Sequence, residues 1–216
     1  GDTIHLEPSD NHYGSASINK RLIIIGNGYK LEGTTGNTGL QANTKQSRVL
    51  NLAFGIGSNG SQLIGTYFPG GNGSGLSISN AQDITIRRNW IAIDVSFAGT
   101  SVNDILIAEN WLYGISQSTN GNTAITNLTV RNNWIWSNLA LNDPGDVMTN
   151  VQLLRNTFNY NGNHALRNAV VAYNSFYVGN VTGSNNDIHD NISAAALPGG
   201  NPSNVVVSMG NVYNLL

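Results

Sequence analysis

Few residues of this chain are of a kind that breaks or forms bonds. Among its 216 residues there are nine Asp, three Glu, four His and no Cys. The acidic residues that lie close together are Asp143-Pro144-Gly145-Asp146, in the longest of the later loops, and Asp187 and Asp190 on either side of His189. Clustered carboxylates are what lyase or hydrolase chemistry on a polysaccharide needs, sometimes with Ca2+ bridging them. Asp143, Asp146 and Asp187 are therefore the candidate catalytic residues of an enzymatic reading, and Ca2+ is the one cofactor such a site would take. The non-catalytic reading is the stronger one. Asp-Pro-Gly-Asp is ordinary turn chemistry, and no Lys follows residue 45 to act as base or charge clamp. His164 and His189 have no partner that spacing identifies. Gly26-Asn27-Gly28 and Gly55-Ile56-Gly57 lack the following helix that a phosphate loop requires. No cofactor and no metal site is expected.

The sharper signal is aromatic. All four Trp fall just beyond a recurring Asn: Trp90, Trp111 and Trp134 come directly after Asn89, Asn110 and Asn133, and Trp136 lies two residues further on. If Ile91, Leu112 and Ile135 point inward, strand alternation turns these Trp outward, together with Tyr113, Trp136 and Tyr177. Rings repeated at the ~4.8 Å spacing of strands would form a stripe on one face. Exposed apolar area of that extent marks an interaction surface, and flat aromatic faces suit the apolar faces of sugar rings. Trp90, Trp111, Tyr113, Trp134, Trp136 and Tyr177 are the candidate ligand-binding residues, for a polysaccharide or for a protein partner. The same rings covered by a loop of the chain itself would be a third arrangement.

The elements that must position these rings are repeats. Asp83-Ile84-Thr85-Ile86-Arg87-Arg88-Asn89-Trp90-Ile91 recurs as Asp104-Ile105-Leu106-Ile107-Ala108-Glu109-Asn110-Trp111-Leu112 and as Asn127-Leu128-Thr129-Val130-Arg131-Asn132-Asn133-Trp134-Ile135. Shorter copies lead to Asn156-Thr157-Phe158 and Asn174-Ser175-Phe176, a worn copy runs from Asn185 to Asn191, and a longer one from Asn204 to Asn211. One step before Asn89, Thr66 takes the Asn place. Apolar residues alternate within each copy, the period of short strands with one face buried. A repeat of about 20 residues made of short strands and Asn or Gly turns is one rung of a parallel β-solenoid. An Asn between two strands can bond its own turn and stack on the Asn of neighbouring rungs, an internal amide ladder. That accounts for the composition, 34 Asn and 25 Gly with only 10% charged residues. Asp83 and Asp104 then read as turn residues, and Arg88 and Glu109 as an ordinary surface pair.

The chain thus resembles the right-handed parallel β-helix, or pectate-lyase-like, superfamily of secreted bacterial proteins and phage tailspikes. The resemblance rests on Asn89, Asn110, Asn133, Asn156, Asn174 and Asn191 over residues 60–216, supported by Gly1-Asp2-Thr3-Ile4-His5-Leu6 and Lys20-Arg21-Leu22-Ile23-Ile24-Ile25-Gly26. It implies an extracellular or cell-surface location. The expected fold is all-β, a single right-handed parallel β-helix of about nine rungs over residues 1–216, with 1–59 less regular than 60–216. A net charge of −2 offers no field for nucleic acid. No run approaches the ~20 apolar residues of a membrane span, so neither nucleic acid nor membrane insertion is expected. No basic or apolar leader opens the sequence, so a signal peptide is expected to be absent from it. Outward positions Thr85, Leu106, Thr129, Gln152, Val170 and Val206 make too irregular a row for ice binding. The function expected is a non-catalytic extracellular module that binds polysaccharide or acts as an adhesin scaffold. A lyase or hydrolase is the alternative, and an oligomerisation scaffold the second alternative.

Overall fold

The computed structural model of the protein describes residues 1–28, 45–117, 123–141, 147–160, 162–177, 180–193, 206–207 and 212–213. Within them every element is a strand and every strand pairing is parallel. The chain is a β-solenoid with three faces. Strands such as Leu22–Ile25, Gln62–Ile64, Ala124–Arg131, Met148–Leu154 and Ala169–Ala172 stack on the first face. The short strands Tyr67–Phe68, Trp134–Ile135, Thr157–Phe158 and Ser175–Phe176 stack on the second. The third carries Tyr13–Ile18, Val49–Phe54, Leu139–Leu141 and Asn163–Arg167. Two long strands, Gly75–Arg87 and Trp90–Ala108, bend from one face to the next without a break.

Alternation decides what fills the bore. Ile84, Ile86, Ile91, Val95 and Phe97 of one turn are fully buried, and Ile105, Ile107, Leu112 and Ile115 take their places in the next. In-register pairing puts like on like: Ile91 on Leu112, Leu112 on Ile135, Ile135 on Phe158 and Phe158 on Phe176. The last two rings stack with centroids 4.6 Å apart and planes within 5°. Each rung therefore buries its apolar side chains on its neighbours, and none has a core of its own.

The internal ladder runs as the spacing predicts. The main-chain N–H of Asn89 donates to Asn110 Oδ1 at 2.9 Å, that of Asn110 to Asn133 Oδ1 at 2.9 Å, and that of Asn133 to Asn156 Oδ1 at 3.0 Å. Asn156 and Asn174 continue the pattern onto Asn174 and Asn191. Each Nδ2 donates to the next Oδ1 and to a carbonyl of the turn before, such as Ile86 O for Asn110 and Ile107 O for Asn133. Thr66 begins the column: its N–H and hydroxyl both donate to Asn89 Oδ1. One position earlier, buried Ser47 donates through its hydroxyl to Leu6 O, and its carbonyl receives Tyr67 N–H. Asn211 lies outside the described residues.

From Thr66 to Asn191 the solenoid makes about six turns, fewer than the nine rungs expected. The strands within residues 1–28 and 45–54, and the strands Val206–Val207 and Val212–Tyr213, continue the stacks on either side of this regular body, with an uneven step on the N-terminal side. A second surprise is a repeated left-handed backbone. The residue before each ladder position has positive φ: Gly65 (69°), Arg88 (55°), Glu109 (58°), Asn132 (55°), Arg155 (55°), Tyr173 (59°) and Asp190 (52°). Strand-opening residues Gly60, Asp83, Asp104, Asn127, Asn150, Asn168 and Asn185 form a second such row. For a residue with a Cβ this conformation costs roughly 1–2 kcal/mol, least for Asn and Asp. That is why the second row is Asn or Asp wherever it is not Gly. Part of it makes an outer ladder, Asn127 Nδ2 donating to Asp104 Oδ1 at 2.9 Å and Asn150 Nδ2 to Asn127 Oδ1 at 2.8 Å.

Neighbouring residues Asn132 and Asn133 should thus respond oppositely to substitution. Asn133→Leu strands the Asn110 N–H and the Ile107 carbonyl in a dry interior and should destabilise by ~3 kcal/mol or more, at ~1–3 kcal/mol per unsatisfied group. Asn132→Gly should be neutral or slightly stabilising, whereas Asn132→Val should cost ~1–2 kcal/mol of backbone strain. Urea unfolding of the three variants checks this. Equal small losses would place position 133 outside the core.

Candidate functional site

The outer surface of the second face is built by the same register. Tyr67, Trp90, Trp111, Trp134, Thr157, Ser175 and Ile192 occupy one row, each paired with the next. Two residues on, Tyr113, Trp136, Asn159 and Tyr177 make the adjoining row, fixed by Trp136 N–H to Leu112 O, Asn159 N–H to Ile135 O and Tyr177 N–H to Phe158 O. The buried Ile91, Leu112 and Ile135 between the rows hold the aromatic residues outward. All six rings that spacing selects, Trp90, Trp111, Tyr113, Trp134, Trp136 and Tyr177, lie on this face.

Their rings do not form one even row. Tyr67 and Trp90 have centroids 4.6 Å apart, and Trp90 and Trp111 stack at 5.1 Å with planes within 11°. Trp111 then meets Trp136, from the adjoining row, at 5.2 Å. The guanidinium of Arg48 sits 5.6 Å from the Tyr67 ring. The result is a continuous column, Arg48, Tyr67, Trp90, Trp111, Trp136, in which the faces of Trp90 and Trp111 are occupied by neighbouring rings. Both of these Trp are half-buried. The open aromatic surface belongs to Trp134 (47% exposed), Trp136 (46%), Tyr113 (50%) and Tyr177 (61%).

Trp134 and Trp136, two residues apart, serve two separate clefts. One, of about 220 Å³, lies among Trp90, Ala92, Trp111, Tyr113 and Trp136. The other, of about 240 Å³, lies among Trp134, Thr157, Asn159, Ser175, Tyr177 and Ile192. Among the described residues, neither is lined by a charged side chain. Two of the arginines beside the face are engaged: Arg88 Nε is 2.7 Å from Glu109 Oε2, and Arg155 lies 5.9 Å from the Tyr173 ring. Beside Arg88, the Glu109 carboxyl is held below its ordinary range. Near the first cleft, burial pushes the Asp94 carboxyl up, opposed by a hydrogen bond with Ser116. Its Oδ1 lies where a Cβ at Gly114 would be only 2.5 Å away, so Gly114 is the residue that admits Asp94.

The acidic candidates do not join this surface. Asp143 and Asp146 lie outside the described residues. Asp187 is exposed on the first face, opposite Val170. His189 Nδ1 lies 2.8 Å from Asp190 Oδ2, with the Tyr173 ring edge-on at 5.8 Å. Asp190 occupies the left-handed corner position. Among the described residues, no group of three or more His, Asp or Glu is gathered in a way that could hold a metal ion. Two contributors went unread in the sequence. Tyr67 follows Thr66 just as Trp90 follows Asn89, a signal that was present, whereas nothing in the spacing placed Arg48 over Tyr67.

His164 has no access to substrate, because it is fully buried in the bore. Its ring lies 4.7 Å from Phe158 and 5.7 Å from Phe176. Nδ1 accepts from Leu139 N–H at 3.4 Å, and Nε2 has no hydrogen-bond partner among the described residues. Burial lowers its pKa from 6.5 to about 4. The folded value lies below the unfolded one, so between these two pH values the unfolded chain binds the extra proton. Stability contributed by neutral His164 is complete above pH 6.5, falls as pH drops towards 4, and levels off below. The loss should amount to about 3 kcal/mol. Denaturation across this window checks it: His164→Leu should remove most of the slope, and an unchanged slope would assign it to carboxylates instead.

Compared with known proteins, the chain matches no family model, no curated protein and no solved structure, so the parallel β-solenoid and its aromatic face rest on the chain's own sequence and geometry.

Proposed function

We propose that this protein is a non-catalytic extracellular module of the pectate-lyase-like β-helix kind, which holds a polysaccharide against its second face. It would act at a cell surface or in the surrounding matrix, as an adhesin or scaffold. The observation that carries the reading is the set of open rings, Trp134, Trp136, Tyr113 and Tyr177, around two apolar clefts on one face. Pyranose rings present flat C–H faces to indole and phenol, while their hydroxyls stay in water at the rim, so a shallow aromatic site binds sugar without enclosing it. A half-open stripe also fits reversible attachment better than turnover, since bond cleavage needs an acid and a base at the bound chain, and the described residues of the cleft linings are all uncharged.

A glycan array with the purified chain, followed by assays for reducing ends and unsaturated products, tests this. Retention of a polysaccharide without product is expected. Trp134→Ala should weaken retention by ~1–3 kcal/mol, on the scale of stacking onto an aromatic platform, with unchanged melting. Trp111→Ala should instead lower the melting temperature, because it removes two ring contacts of ~0.5–1.5 kcal/mol each. Product release would make the protein an enzyme. Loss of self-association in Trp134→Ala, without any glycan signal, would make the face a protein contact.

A further inference from the structure

The two clefts lie one after the other along the solenoid axis, and that arrangement restricts what can fill both. We infer that the ligand is a neutral, straight ribbon of β-1,4-linked sugars that lies along the axis and occupies both clefts at once. This rests on the glycan-binding reading above and specifies its ligand class.

The strand Trp134–Ile135, with Trp136 directly after it, separates the clefts. Trp136 lies against Trp111, towards the N-terminal side, and Trp134 lines the cleft formed with the following turns, at Thr157, Ser175 and Ile192. Two side chains only two residues apart therefore wall two different seats. Register fixes how far the pair reaches: Trp90, Trp111, Trp134, Thr157, Ser175 and Ile192 are successive partners. Five strand spacings of ~4.8 Å make a track of about 24 Å. A ligand that engages both seats must be extended over that length and must not coil. All-equatorial β-1,4 linkage gives such a ribbon, with apolar C–H faces along it, whereas helical glycans bend off a straight track.

Charge narrows the class further. The lining residues Trp90, Ala92, Trp111, Tyr113, Trp134, Tyr177 and their neighbours are uncharged. Arg48, Arg88 and Arg155 beside the face are turned to Tyr67, Glu109 and Tyr173. A uronate or sulfate in either seat would lose hydration without gaining a charged partner from the described residues that line it. The neutral ribbon meets no such cost.

Titration calorimetry with cello-oligosaccharides, from the disaccharide to the octasaccharide, with polygalacturonate as the acidic comparison, tests the inference. Linked occupation of two seats should raise affinity by about 100-fold or more once the chain spans both, followed by a plateau. Trp134→Ala and Trp136→Ala should each abolish that rise and leave only short-chain affinity. Trp136→Phe, which keeps a ring, should restore part of it, and circular dichroism confirms that each variant is folded. A disaccharide binding as tightly as the octasaccharide would overturn the two-seat inference. So would tight binding of polygalacturonate alone, although glycan binding itself would then stand. Failure of every saccharide on the array as well as in the calorimeter would remove the underlying reading.

Discussion

The constraint on which the molecule depends is the pairing of one buried carboxamide with the next. A sharp turn between two strands leaves main-chain N–H and C=O groups facing the bore, where no water reaches them. Asn at that point supplies an acceptor and two donors on a short side chain. It satisfies its own turn, a carbonyl of the previous rung and the Asn of the next in one set of bonds. Leu could fill the space but would leave these groups unpaired. Asp has no donor, and Gln would set the amide one methylene too far from its turn. The left-handed residue before each ladder position completes the geometry, and its recurring strain is tolerated because the ladder holds the turn closed.

Register on the second face follows from this column. With turns locked one above another, residues at equal offset from the ladder must stack, whether they point in or out. Inside, that places Ile91, Leu112, Ile135, Phe158 and Phe176 in one line; outside, it places Tyr67, Trp90 and Trp111 in another. Ring spacings of 4.6 and 5.1 Å along this row are the strand spacing expressed in aromatic side chains. The surface is thus an outward reflection of the core repeat, and this is how a chain with 10% charged residues builds a defined face.

Repetition is also why so much was legible. Asn89, Asn110 and Asn133 recur with the same neighbours, so strand parity, inward residues and the ladder could all be read, down to Thr66 as its first member. The less regular features were harder to see. Positive φ at Arg88, Glu109 and Tyr173 has no signature in residue type, because the ladder imposes the conformation on whatever side chain is there. The rotation of Trp136 onto Trp111, leaving Trp134 to a second cleft, depends on side-chain torsions that spacing cannot specify. His164 looked like any other His in the sequence, since the aromatic cage around it comes from Phe158 and Phe176 on a different face of the solenoid. The regular body is shorter than the nine expected rungs because at the N-terminal end the strands keep stacking but lose the even step: Ile25 pairs with His5 on one side and with the far more distant Ile64 on the other.

If the ladder is what holds the rungs in register, its backbone should be the last part of the protein to open. Amide hydrogen exchange on the native protein measures this residue by residue. The N–H groups of Asn89, Asn110, Asn133 and Asn156, each bonded to the next ladder oxygen, should exchange only through global unfolding and rank among the slowest in the molecule. Exchange of these amides as fast as those of the exposed turn at Gly71 and Gly73 would contradict the account, because the column would then be a consequence of the stacking and not its cause.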